Sequence, residues 1–361
     1  MTCFQCRLRV REAARRASSS SLSSSRPDSS ASLAARSRIE AKSAGITSLL
    51  PGAHRTVLRL HRTTLWTALG LVVLATAVTG YLHLAAQGRP GLITFLGVSN
   101  EDDLLFTYME RGAVALLLVP LLVAAFTAGP VVARELEAGL HQFAWTQADA
   151  PARWLSARLT VAAALAVAAG LAVLGVFWLG GSGLVHAQGS LSWSHSTVYT
   201  VTGPVVVAYC LLAVAVGALA GLLLRRTLLA MSAASAVTGG VLWLLSSVRW
   251  DLVPARTLTD SSARAREAWV PGGIPDDVRI VDMGVSNAAG DRFQPGQCLS
   301  WAGPGKNDYS CPADTHVVQA WVDFRPRSHF WYVQLIESGI VLTLAAATAY
   351  AAFWVLRRRT P

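Results

Sequence analysis

Hydrophobic residues in this chain gather into six long runs, near 64–86, 113–133, 160–180, 203–224, 227–248 and 335–356. Each reaches the roughly 20 mostly apolar residues that a helix needs to cross a bilayer. Lipid cannot hydrogen-bond backbone groups, and a helix satisfies them within a single segment. The pattern predicts an all-α integral membrane protein with six transmembrane helices. Two polar stretches interrupt it. The first, 134–159, lies between the second and third runs. The second, 249–334, is rich in Pro, Gly and Trp and lies between the fifth and sixth. Within it, 278–286 and 316–324 read as strands, and Val318, Ala320, Val322 and Phe324 share one face of the latter at a period of two. A small extracytoplasmic domain containing Cys298 and Cys311 is expected there.

The division that follows is a tail (1–52), an interfacial helix with spans one to five (53–248), the polar domain (249–334), and span six with a basic tail (335–361). Residues 1–52 are rich in Ser, Arg and Ala without helical or strand period, and are read as disordered. An organellar transit peptide, a polybasic membrane-surface tail and a start site further downstream all fit this composition. The last is preferred, then the second. Cys3 and Cys6 form a lone pair with no second pair and no nearby His, so no metal is assigned. In 53–63, Arg55, Arg59 and Arg62 lie on one helical face opposite Val57 and Leu60. This fits a basic interfacial helix or a plain charged flank.

Composition sharpens the class. The chain is 53% apolar and only 14% charged, against roughly 25% charged in soluble domains. Its net charge of +10 could point to nucleic acid, but residues 1–62 hold twelve Arg or Lys against three acids, or +9. Basic residues before a first span fit an anionic membrane lipid surface, and no nucleic-acid motif accompanies them. The short loops set the topology by their Arg and Lys. Arg55, Arg59 and Arg62 put the N-terminus in the cytoplasm. Loop 87–112, with Glu101, Asp102, Asp103 and Glu110, goes outside. The 134–159 insert returns inside, loop 181–202 has no Arg or Lys and is outside, and Arg225 and Arg226 mark an inside turn. Arg357, Arg358 and Arg359 place the C-terminus in the cytoplasm as well, giving a multi-pass plasma-membrane protein.

The insert carries the most chemistry. Arg134, Glu135 and Glu137 open it, Gly139 interrupts its first helical piece, and Asp149-Ala150-Pro151 signals the start of a second. Arg153 and Arg158 follow, while Trp145 and Trp154 are rings suited to a membrane–water interface. The string VARELEAG-HQFAWTQ----RW resembles the segment between spans two and three of ABC-2-type transporter permeases, especially their six-span actinobacterial group. Where that family usually has Thr after the glycine this chain has Leu140, and Asp149-Ala150-Pro151 replaces a Ser-rich turn. The resemblance implies an ATPase-coupling segment, Arg134, Glu135, Glu137, Gly139, Trp145, Arg153, Trp154 and Arg158. Its acids would meet basic groups on a separate ATP-hydrolysing subunit. A merely solvated charged face is the competing reading. The resemblance further implies a second permease subunit, and ATP bound by the partner and no cofactor by this chain.

At the start of span six, RPRSHFWYVQLIESG resembles a second signature of the same family. Phe330 and Trp331, with Tyr332, form an aromatic belt, and Glu337 is the main candidate for a membrane-buried charge. Cys298 and Cys311 bracket a short loop on the oxidising side and are read as a disulfide, worth about 3 kcal/mol; two free thiols are the alternative. Gly217-x-x-x-Gly221 and Ala166-x-x-x-Gly170 are small-residue stripes for close helix packing, within one bundle or at a dimer seam.

No phosphate-cradling Gly-x-x-x-x-Gly-Lys-Ser/Thr loop, zinc-protease motif or nucleophile elbow occurs, so no catalytic constellation is assigned. Scarce intramembrane charge counts against an ion-driven carrier. A permease exporting a substrate with a separate ATPase is the leading reading. A ligand-binding receptor or accessory protein built on 249–334 and a membrane-embedded lipid-modifying enzyme are the alternatives.

Overall fold

The computed structural model describes residues 62–86, 101–139, 151–181, 183–185, 191–294, 297, 299–301, 307–309 and 316–359. The first run forms α1 (Arg62–Ala86). The second span differs from expectation. It consists of α2 (Glu101–Leu117) and α3 (Val119–Phe126), and α4 (Ala128–Glu137) follows. Its apolar window is 104–126 rather than 113–133. The acids at 101–103 lower local hydropathy, but Leu105, Met109 and Ala113 recur at four-residue spacing and are all buried. That stripe holds the segment as a helix against α1 and α5. Pro120 lacks an N–H and sits beside the break at Leu118.

The third run belongs to α5 (Pro151–Gly181). Proline at the first helical position is preorganised for the turn, so the start signal read at Pro151 is where the helix begins. At 31 residues it is about 46 Å long, longer than a hydrocarbon core of about 30 Å. The insert's second helical piece is therefore the protruding first turns of span three. After the short α6 (Ser196–Thr202), α7 (Val205–Leu224) and α8 (Thr227–Val248) form spans four and five. A two-residue turn joins them, with Arg225 at φ 52°. α7 is the central helix: 83% of its apolar window is buried, against 17–33% for the other five spans.

A 3₁₀ turn (Arg249–Leu252) leads into a sheet, and here the all-α expectation is corrected. β1 (Arg256–Asp260), α9 (Ala263–Ala268), β2 (Val278–Asn287), β3 (Arg292–Phe293) and β6 (Val317–Pro326) form an antiparallel sheet of order β1-β6-β2-β3 with one covering helix. Both strand-like runs are its central strands. Ala320, Val322 and Phe324 are buried on them, but Val318 is exposed. Gly284 lets β3 approach, because a Cβ there would collide with the Phe293 carbonyl. β4 (Leu299–Trp301) and β5 (Asn307–Tyr309) make a separate hairpin, with Leu299 opposite Tyr309. Cys298 and Cys311 lie outside the described residues.

Span six is α10 (Ser328–Arg359), which starts seven residues before the expected 335. The bundle thus has a sheet end and a basic end. Val132, Trp154, Leu155, Leu222, Ala352 and Leu356 pack into one cluster at the basic end.

Candidate functional site

At the basic end, α4 is placed by glycine. A Cβ on Gly217 would lie 2.9 Å from the Gly129 nitrogen, and one on Gly221 would lie 3.0 Å from the Gly129 oxygen. The small-residue stripe of α7 is therefore filled within the bundle, by α4. Val132 and Ala133 face inward while Arg134 is exposed. Gly139, at φ 70°, ends this helical piece in the left-handed region where glycine is unstrained.

Both acids of the insert are engaged inside the chain. Glu135 Oε2 accepts from Arg158 Nε at 2.9 Å and from Trp154 Nε1 at 3.1 Å, and Arg158 Nη2 pairs with Oε1. The Arg158 guanidinium also lies over the Trp154 ring, 4.9 Å from its centroid. This two-pronged contact fixes both position and angle between α4 and the first turns of α5. Glu137 Oε2 accepts from the Thr227 backbone N–H at 3.1 Å and from its hydroxyl at 2.6 Å, capping α8 from outside its own helix. The Thr227 hydroxyl first, then its N–H and the nearby Arg226, hold the Glu137 carboxyl below its ordinary range. Both carboxylates thus have partners within the chain, Glu137 at an exposed position. The outward cations of the two helices are Arg134 and Arg153, both exposed. Trp145 lies outside the described residues. A cleft of about 510 Å³ opens between α4 and α8, lined by Phe126, Pro130, Arg134, Glu137, Thr227 and Met231.

The sheet end holds a polar cluster that the sequence reading found only in part. Glu337 is wholly buried, and so is its ion-pair partner, Arg249, at 3.3 Å. Tyr209 donates to the same Glu337 oxygen at 2.8 Å. Arg249 also donates to Thr200 Oγ1 at 3.3 Å and stacks 4.2 Å above the Tyr199 ring. Gln334 donates to the Tyr199 carbonyl at 2.7 Å and accepts from the Val205 N–H at 3.2 Å, closing the start of α7. A Cβ on Gly203 would collide with this amide. Phe330 points inward, edge-on to Tyr199 and Trp193, whereas Trp331 and Tyr332 are exposed as an interfacial belt would be. The available signal for Arg249 was its place directly after the fifth apolar run. Among the described residues no group of three metal-binding side chains occurs.

Residues 96–249 match the family described as ABC-2 membrane transporter related. This segment is therefore similar to the membrane domain of ABC-2-type transporters. The match runs from just before α2 to the end of span five, and so includes α4, the start of α5 and Arg249 but neither the sheet nor α10. No curated protein and no solved structure matches the chain. With six helices long and apolar enough to cross a membrane, the chain is a multi-pass membrane protein.

Proposed function

We propose that the permease is the membrane subunit of an ABC-2-type exporter, powered by a separate ATPase that docks on the basic end. One observation carries this reading. Within the family-matched segment, α4 and the start of α5 are clamped together by Glu135, Trp154 and Arg158 and present Arg134 and Arg153 outward. A rigid two-helix platform can pass a push from a partner into the bundle, because α5 is itself span three and α4 rests on the central α7. The contact with the ATPase is made by the outward arginines, with the two acids acting as internal braces.

In this reading the basic end is cytoplasmic, as the collected arginines favour, and the sheet lies outside the plasma membrane. Both termini are inside. A second permease subunit completes the pathway, and Cys298 and Cys311 are joined on the oxidising side. The fixing of the sheet to the bundle, through Asp277 to Trp193 at 3.1 Å and to Arg327 at 2.6 Å, speaks against an independently working receptor head. Orientation is tested by cysteine labelling in a background without the natural cysteines. Ala289→Cys reacts with an impermeant maleimide in intact cells, and Ala138→Cys reacts only after permeabilisation. The opposite labelling overturns the assignment of the basic end to the ATPase. Tagged full-length permease should also recover an ATP-hydrolysing subunit, and its recovery with none contradicts the exporter reading.

A further inference from the structure

Where the sheet meets the bundle, positive charge accumulates without a matching carboxylate. The β2–β6 register sets Arg279 directly opposite Arg325, so the two side chains share a face, and like charges so placed repel. Arg325 is only 8% exposed, and its Nε has no hydrogen-bond partner. Arg279 is half-buried and lies 5.2 Å from the centroid of the Trp250 ring. Burial first, then the Arg325 charge, pull its guanidinium below the ordinary value. His329, in the first turn of α10, is buried with an unpartnered Nδ1 and feels both Arg325 and Arg256 electrostatically.

The nearest acids along these strands are already committed. Asp323 holds Arg292 at 2.8 Å and accepts from the Thr257 hydroxyl. Asp277 holds Arg327 and Trp193. No ion pair of the described residues involves Arg256, Arg279 or Arg325. A buried guanidinium without a counter-charge is strongly unfavourable. Planar guanidiniums suit the several oxygens of a phosphate, which accepts paired hydrogen bonds from each.

We propose that Arg279 and Arg325, together with His329, form a binding site for a phosphate group at the base of the sheet. Two guanidiniums call for more than one negative charge, so the chemistry is that of a phosphate monoester or diphosphate. The site adjoins the ends of spans five and six, so that group can belong to a soluble molecule or to a lipid headgroup. Full-length permease is examined with inorganic pyrophosphate in detergent, and separately in nanodiscs of phosphatidic acid or of phosphatidylcholine. Pyrophosphate that raises the unfolding midpoint above a sodium chloride control of equal ionic strength marks a soluble ligand. A rise confined to phosphatidic acid nanodiscs marks a headgroup. In either case Arg279→Gln weakens the effect by about tenfold or more, as expected for losing one charged hydrogen bond. Arg279→Lys, which keeps the charge and loses the paired hydrogen bonds, weakens it to a smaller degree with little disturbance of the fold. The proposal is overturned if neither phosphate source exceeds its control, or if both variants respond as the unaltered permease does.

Discussion

At the basic end Glu135 meets Arg158 with each side chain 17% exposed, whereas at the sheet end Glu337 meets Arg249 with neither exposed at all. The chemistry is the same and the consequences differ. A partly hydrated pair contributes little, about 0–1 kcal/mol, and its value lies in fixing α4 against α5. A dry pair depends on every further contact, because neither charge can turn to water; here Tyr209, Thr200 and Tyr199 supply three, while Arg249 Nε and Glu337 Oε2 have no hydrogen-bond partner. One end is a braced, partly hydrated surface, the other a closed knot tying α6, α7, α10 and the end of α8.

The largest effect follows from breaking the dry pair. Glu337→Leu or Arg249→Leu alone strands one buried charge and lowers stability by about 3–5 kcal/mol. The double replacement recovers most of that loss. Thermal unfolding of the four proteins checks the pattern, and simple additivity of the two single losses shows that the pair is not coupled as described.

Next in size is the α4–α7 contact. Gly217→Ala places a methyl 2.9 Å from the Gly129 backbone nitrogen, an overpacking that costs about 1–3 kcal/mol. Gly175→Ala, where a Cβ meets nothing within 4 Å, is the matched control on α5. Equal unfolding midpoints for the two variants remove the argument that α4 is seated by glycine.

The different exposure of the two ends is also what limited the sequence reading. Span number, the start of α5 at Pro151 and both central strands follow from periodicity and proline, which are local. The early start of α2 was hidden because acids at 101–103 outweigh the buried stripe Leu105, Met109 and Ala113 in any average of hydropathy. Glu337 stood out as a charge in an apolar run. Its partner did not, since Arg249 lies 88 residues away and reads as an ordinary flank. Glu135 and Glu137 are legible as charges, yet only the approach of α5 and α8 reveals that both are engaged within the chain.

A smaller effect separates the braces by pH. The folded Glu137 carboxyl is held below its ordinary range, so its contact with Thr227 stabilises fully above the usual carboxylate pKa of about 4.3. That contribution is lost as pH falls through the lower folded value. Thr227→Val should flatten this part of the acid limb of stability. An unchanged acid limb in the variant means that Glu137 does not brace α8.

The most direct test reverses the outward charges and neutralises the engaged acids in separate proteins. Arg134→Glu with Arg153→Glu should insert and unfold like the unaltered protein but recover little or no ATPase on purification. Glu135→Gln with Glu137→Gln should unfold at a lower temperature and still recover the ATPase. The account is contradicted if the arginine reversal recovers the ATPase at undiminished yield, or if only the glutamate replacements abolish its recovery.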